Sequence, residues 1–364
     1  MRTHHFGVLV QGQEPAEPAG RRPAAAASRR PANAVGREPT TAAPVVCEAP
    51  TACGPALTAG DDSQIDVRSG QDLVAALTGL GHPATLLNAD DTLDLQLRAA
   101  RVTACLIAAH GALGGSGELQ GLLGLRGIPF AGPSAAAAAL AFDKLRARQI
   151  LGFHSLPVPA TLALQGAQPL DRQALGLLGW PCVIKPRRSS LGVGVRHLGD
   201  ATSVALAAEV HHQPAGGWLL ERTVPGREIQ VVLLDGRVLG AIEVERDPED
   251  LRQISAMVCP PGLSPSRRHG IDNLATHAVA ALGLTRGLAR VDLMLSERHN
   301  EVILEVEPLP PLHRDGVVAK VALAAGLRYE QLVAAIVHDM VDAPLRRPAP
   351  RVSTDQTLGT ATLQ

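Results

Sequence analysis

Residues 290–307, RVDLMLSERHNEVILEVE, alternate strictly between apolar and polar positions. Val291, Leu293 and Leu295 share one parity of the first arm, and Val302, Leu304 and Val306 share one parity of the second. The stretch therefore predicts a β-hairpin with its tip at Arg298 and His299. Cross-strand partners lie ~5 Å apart and successive side chains point to opposite faces, so this tip sets Asp292 opposite Glu305 and Arg290 opposite Glu307. One face is then wholly apolar, and the other carries those four charged residues with Met294 and Ile303 further along. A strand buried on one side and wetted on the other alternates in the same way. An exposed hairpin, however, mixes in Lys, Thr and Ser. Three carboxylates and one guanidinium in one patch suit hard cations and phosphate oxygens.

The same patterning orders the rest of the chain. Residues 6–10 form a short apolar run that predicts a first strand. Residues 13–60 are rich in Ala, Pro, Gly and Arg without periodicity, and such a segment buries too little apolar surface to offset its ordering entropy, which predicts disorder. Helical spacing resumes over 69–80, and 102–109 reads as a buried strand ending at His110-Gly111, followed by a glycine-rich loop over 111–117 and a helix from Glu118. Strands alternating with helices imply a parallel sheet, with ligands beyond the carboxyl ends of its strands. His110 lies at such an end, where a histidine is more often a structural hydrogen-bonding residue than a catalyst.

Ser134 can cap one helix running over 134–151 through Asp143-Lys144. The run PCVIKP is a strand ending near Lys185, followed by the Gly/Ser loop RRSSLGVGV; glycines let backbone amides approach an anion, and serine hydroxyls add donors. No GK[ST] follows, so this is not a Walker loop, and alone it reads equally as a hairpin turn. A strand is predicted over 218–221, a hairpin over 228–234 and 237–244 around Asp235-Gly236, and a long polar loop over 247–267. Helices over 268–282, 317–325 and 329–341 complete the pattern before a Pro- and Thr-rich tail.

Composition narrows the classes without choosing among them. The 364 residues allow two or three domains, and a net charge of −1 implies no general attraction to nucleic acid or membrane. No apolar run approaches the ~20 residues of a membrane span. The start, MRTHHFGVLVQG, lacks a secretory signal's long apolar core. Five scattered cysteines without CxxC spacing favour a reducing cytoplasm and offer no zinc site.

The ordered set HGALGGSGELQGLLGLRGIPFAGPS, FDKLRAR, PCVIKP with SSLG, LLERTVPGREIQV, ARVDL and LEVE resembles the ATP-grasp ligases, specifically the D-alanine–D-alanine ligases, from about residue 62 to 341. The resemblance implies an α/β fold: an N-terminal parallel-sheet preATP-grasp domain (1–132, with the insertion), a central ATP-grasp subdomain (133–220) and a C-terminal one carrying the metal site (221–345), then a loose tail (346–364). ATP would lie between two antiparallel sheets. It further implies that Lys144 and Lys185 bind phosphates. Glu221 and the backbone of Arg222 and Val224 would hold the base, Met294 would pack against it, and Glu228 would hold the ribose. Asp292, Glu305 and Glu307 would bind magnesium or manganese, and Arg290 would be the catalytic arginine, with Asp62 and Ser190 completing the catalytic set. Partners implied are ATP, small amino acids and a second copy of the chain.

The nucleotide and metal positions largely follow the family's pattern, while the amino-acid positions depart from it more. Glu307 replaces the usual asparagine, and Asp62 is one methylene shorter than the family's glutamate. The loop ERDPEDLRQISAMVCPPG lacks the family's lysine and tyrosine. Pro311 stands where a glycine amide would donate to the oxyanion, which proline cannot do. Gly316 replaces a serine, and the phosphate loop is two residues shorter between Lys185 and Ser189. Three readings follow: a D-alanine–D-alanine ligase or close relative, an ATP-grasp ligase with another substrate, or a non-catalytic ATP-binding paralogue. Retention of three carboxylates around Arg290 disfavours the last. Deleting residues 14–60 is expected to leave thermal unfolding nearly unaltered; a large fall in Tm would show that the segment packs.

Overall fold

Three sheets organise the molecule, a computed structural model that describes residues 4–11, 62–164, 172–200, 216–247, 250–296 and 301–342. The first sheet is parallel, in the order β2–β1–β3–β4, with β1 Phe6–Val10, β2 Ala84–Asn88, β3 Ala104–Ile107 and β4 Phe130–Ala131. Every residue of β1 and β3 is buried, as a parallel strand covered on both faces requires. On one side Phe6, Val8 and Val10 meet Leu73 and Leu77 of α1 (Asp62–Gly79) and Leu332 and Val333 of α10 (Tyr329–Asp342). On the other, Leu9 and Ile107 meet α2 (Leu93–Ala99) and α4 (Glu118–Arg126) through Leu93, Leu97, Leu119 and Leu123.

The second sheet is antiparallel, ordered β5–β8–β6–β7, from β5 Thr161–Leu164, β6 Cys182–Pro186, β7 Arg196–Leu198 and β8 Trp218–Arg222. With α7 (Arg172–Leu178) it has a small core of its own, formed by Leu175, Leu178, Cys182, Ile184, Leu198, Trp218 and Leu220.

The third sheet, β11–β10–β9–β12–β13, comprises β9 Arg227–Leu234, β10 Arg237–Arg246, β11 Ile254–Val258, β12 Leu288–Leu295 and β13 Val302–Glu307. One face, with Ile229, Val231, Leu233, Val291 and Leu293, packs on α8 (Pro265–Ala281) and on Ala147 and Leu151 of α6 (Lys144–Phe153). The opposite face changes character along the strands. Val232, Ile242 and Leu288 join the core shared with α1 and α9 (Val317–Ala324), whereas Glu228, Gln230, Arg290 and Asp292 make the other end polar. The segment before α9 is clasped to α1: Arg68 pairs with Asp315, the Arg314 amide donates to Asp72 at 2.9 Å, and the Arg314 guanidinium lies 4.5 Å from the Tyr329 ring.

The central hairpin has the predicted register, with Arg290 opposite Glu307 and Asp292 opposite Glu305. Beyond Asp292 a bulge intervenes, so Leu293 faces Ile303 and Met294 faces Val302; Ile303 turns into the core instead of lying beside Met294. The expected single helix over 134–151 is two, α5 (Ala135–Phe142) and α6, because Asp143 adopts extended backbone (φ −81°, ψ 92°) and its carboxylate caps α6 at the Arg146 amide. The glycine-rich stretch expected as loop contains a helical turn, α3 (Gly111–Gly115), and the polar loop over 247–267 contains β11, paired to β10. Strands β2, β4 and β7 and helices α2 and α7 are not signalled by periodicity. The insertion over 13–60, the hairpin tip at Arg298 and His299, and the tail lie outside the described residues. Cys105, Cys182 and Cys259 are free thiols.

At Gly114 a β-carbon would overlap the Ala109 carbonyl oxygen, the last peptide before His110. Gly114→Ala is therefore expected to cost roughly 1–3 kcal/mol of unfolding free energy, measured by denaturant titration, because backbone cannot yield as a side chain does.

Candidate active site

The polar end of the third sheet is a set of positions dictated by strand parity. Arg290, Asp292, Glu305 and Glu307 project from facing residues of β12 and β13, and Glu228 from β9 opposite Met294. The Arg290 guanidinium grips Asp292, two residues on, with Nε–Oδ1 at 2.6 Å and Nη2–Oδ2 at 2.8 Å. Arg246 of β10 does the same to Glu228 at 2.7 and 2.6 Å, and Gln230 adds a bond to Glu228 at 2.9 Å.

Cations reach this patch from the other elements. The break at Asp143 starts α6 at Lys144, whose Nζ meets Glu305 at 2.8 Å and the Ser189 carbonyl. Lys185, on β6, meets Glu221 of β8 at 2.7 Å, and Arg148, one turn along α6, donates to both oxygens of the same carboxylate at 3.0 and 3.2 Å. Arg148 also donates to the Leu304 carbonyl, so it links α6 to both the second and third sheets. Asp143 holds the loop after β6 through Arg187 at 2.7 Å and Arg188 at 3.1 Å. Sequence reasoning missed Arg148 and Arg246. Their signal was present only as arginines at helix and strand positions, with nothing to say which face they would occupy.

These charges share a desolvated space, which sets their titration. Burial pushes the Glu305 carboxyl up, but Lys144, Lys185 and Arg290 outweigh it and hold the group at about 2. Burial also raises Glu221, yet Arg148 and Lys185 prevail and keep it below the usual carboxylate range. Burial depresses Lys185 against the pull of Glu221. Glu307 is raised by burial and by neighbouring Glu305. Burial lowers Arg290, but Asp292, Glu307 and Glu305 more than compensate, so its proton is held more firmly than an ordinary arginine's.

The N-terminal sheet contributes a third side. Ser190 is buried, and its Oγ accepts the Gly111 amide at 2.9 Å, tying the loop after β6 to the end of β3. Asp66, fully buried in α1, accepts the His110 amide at 3.1 Å and pairs with His110 Nδ1. Asp62 begins α1 one turn earlier, and its side chain is outside the described residues. Arg222 and Val224 follow Glu221 at the end of β8; the Arg222 amide is committed to the Ala160 carbonyl at 3.0 Å. Met294 is half-buried beside Gly226.

A hard divalent cation takes oxygen ligands of the kind Asp292, Glu305 and Glu307 supply. The donor chemistry fits. Among the described residues, however, no three Asp, Glu, His or Cys side chains converge as a ligand group, since Asp292 is turned to Arg290 and Glu305 to Lys144. Nor is any described helix long and apolar enough to cross a membrane.

Residues 163–338 match the family model described as D-ala D-ala ligase C-terminus. The chain is 33% identical over 290 residues to the D-alanine–D-alanine ligase of Stutzerimonas stutzeri, covering 78% of this chain and 91% of that protein. It is likewise 33% identical over 302 residues to the same-named ligase of a Synechococcus species, covering 79% and 93%. In three dimensions it superposes on the D-alanine–D-alanine ligase of Bacillus anthracis complexed with ATP with a TM-score of 0.71 at 20% identity, covering 93% of this chain and 98% of that one. A second crystal structure of that ligase gives 0.73 at 21%. The fold is thus of the ATP-grasp kind.

Because Glu305 titrates near 4.5 when unfolded and at about 2 in the fold, its ionised form stabilises the protein above about pH 4.5, a contribution lost as pH falls toward 2. Lys144→Met removes the strongest cation opposing burial there. The acid-unfolding transition, followed by circular dichroism, should therefore begin at higher pH in the variant than in the parent.

Proposed function

The chain belongs to the D-alanine–D-alanine ligase family, and on that premise we propose that it joins two small amino acids, D-alanine first among them, in an ATP-driven condensation that supplies a cell-wall peptidoglycan precursor. It is a ligase forming a C–N bond. In this reading one substrate's carboxylate attacks the γ-phosphate of ATP, the resulting acyl phosphate is attacked by the second substrate's amine, and phosphate leaves. No protein nucleophile is needed. Catalysis is positioning and neutralisation of oxygen charge.

The residues take roles that this chemistry demands. Lys144 and Lys185 hold phosphate oxygens. Glu221 and the Arg222–Val224 backbone hold the base against Met294, and Glu228 the ribose. Arg290, a fixed fork, meets the transferring phosphoryl group or the tetrahedral oxyanion. Asp292, Glu305 and Glu307 would hold magnesium or manganese, which when bound neutralises phosphate charge. Asp62 and Ser190 would serve the amino-acid substrates. The observation that carries the proposal is the hairpin register, Arg290 with Glu307 and Asp292 with Glu305, met by Lys144 from α6. Three domains, bounded near residues 132 and 220, a cytoplasmic setting and a homodimer belong to the same reading.

A second reading keeps the chemistry and changes the acid. It is favoured by the altered amino-acid positions: Pro311 has no amide to donate, and the His313 ring packs tightly at 3.1 Å from where a β-carbon at Gly316 would stand. Phosphate release from ATP with magnesium, measured with D-alanine, D-lactate, D-serine and a panel of L-amino acids, separates the two. D-alanine-stimulated release with a dipeptide detected by mass spectrometry is expected; stimulation confined to another acid would establish the second reading. Glu305→Gln, which retains the shape and a bond to Lys144, should lower turnover more than about a hundredfold while circular dichroism stays that of the parent. Unchanged turnover would remove the hairpin from the mechanism.

A further inference from the structure

We infer that Asp66 is a positioning residue that fixes His110 in the tautomer protonated on Nδ1, so that Nε2 is the atom offered to the amino group of the amino-acid substrate. The inference rests on the ligase reading for its substrate and on geometry for the rest. Asp66 is 0% exposed and the His110 side chain 2%, and the two are brought together from α1 and the end of β3, 44 residues apart. A carboxylate in such a place is costly unless donors surround it. His110 supplies two, its backbone amide to Oδ2 at 3.1 Å and its ring Nδ1 to Oδ1. An ionised carboxylate accepts and cannot donate, so the proton of the second bond belongs to Nδ1.

The backbone that carries the ring is fixed as well. His110 has extended backbone (φ −108°, ψ −168°) at the head of α3, and the next amide, Gly111, is held by Ser190 Oγ at 2.9 Å. The imidazole thus stands at the end of β3, against α1 and close to the loop that follows Lys185. With Nδ1 turned toward α1, Nε2 is on the opposite ring edge, and His110 stands beyond the carboxyl end of β3, the end at which parallel sheets bind their ligands. In the neutral ring Nε2 is a lone-pair acceptor, suited to an N–H of the substrate. Asp66 touches no substrate in this scheme and acts through the imidazole.

Two measurements test this. The first is the ring ¹⁵N spectrum of the full chain at about pH 9, where imidazoles are neutral, with the His110 signals assigned by their loss in His110→Gln. Protonated Nδ1 and unprotonated Nε2 are expected; the reverse would overturn the proposal, whatever the substrate proves to be. The second compares Asp66→Asn, His110→Ala and the double variant. The side-chain amide introduced by Asp66→Asn can donate to Nδ1 and so invert the tautomer. The KM for the amino acid should rise about tenfold to a hundredfold, with the KM for ATP unchanged. In the His110→Ala background the same substitution should add nothing, because interacting residues are non-additive. An equal loss in both backgrounds, or a rise in both KM values, would make Asp66 a structural residue only. Absence of any amino-acid-stimulated turnover in the parent would count against the ligase reading, while the ring spectrum still decides the tautomer.

Discussion

Everything at the polar end of the third sheet depends on one constraint: charges removed from water must be matched. Glu221 is nearly inaccessible, yet it is met by Arg148 at 3.0 Å and Lys185 at 2.7 Å, and Glu305 is met by Lys144 at 2.8 Å. Such pairs add little net stability, because desolvation offsets their attraction; breaking one costs several kcal/mol, since its partner is left buried and unpaired. Their value is therefore in fixing geometry. Arg148 shows this most clearly. By binding Glu221 on the second sheet and the Leu304 carbonyl on the third, one side chain sets the distance between the two surfaces that face the site.

The third sheet carries the second half of the arrangement. Its functional face is not polar throughout: Val232 and Ile242 belong to a core shared with the N-terminal sheet, while Gln230, one alternation along β9, sits opposite Asp292. The apolar end anchors the strands to α1 and α9, and the charged end is held out as a continuation of the same rigid β-structure. Precision at the site follows from that shared backbone, since register cannot slip by one residue without exchanging the two faces.

Much of this is legible in the sequence, and the limits are physical. Strand parity alone places Arg290 opposite Glu307 and Asp292 opposite Glu305, because a period of two is read directly from alternation. It fails at Ile303, where a bulge adds one residue to β13 and no local signal announces it. The helix over 134–151 reads as continuous because Ala, Leu and Phe run without a breaker, yet Asp143 prefers to cap α6 and to bind Arg187. That local preference of Asp for backbone amides competes with helix propensity. Arg148 and the Asp66–His110 pair escape notice for a different reason. Their partners lie 73 and 44 residues away, and no periodicity reports a long-range contact. The family resemblance supplies roles for positions whose meaning the pattern cannot give, and the matched relatives support it over more than three quarters of the chain.

The separate core of the second sheet has a consequence for how the protein comes apart. Among the described residues, seven buried side chains hold β5, β6, β7, β8 and α7 together, and they form no common cluster with the cores that bind α1, α9, α10 and the other two sheets. Among the described residues, what fastens this lobe to the rest is mainly polar: Arg148 and Lys144 to Glu221 and the Ser189 carbonyl, Asp143 to Arg187, and the Ser190–Gly111 bond. Swinging it away exposes little apolar surface. Such an opening therefore carries a small heat-capacity change and a small denaturant dependence, unlike global unfolding.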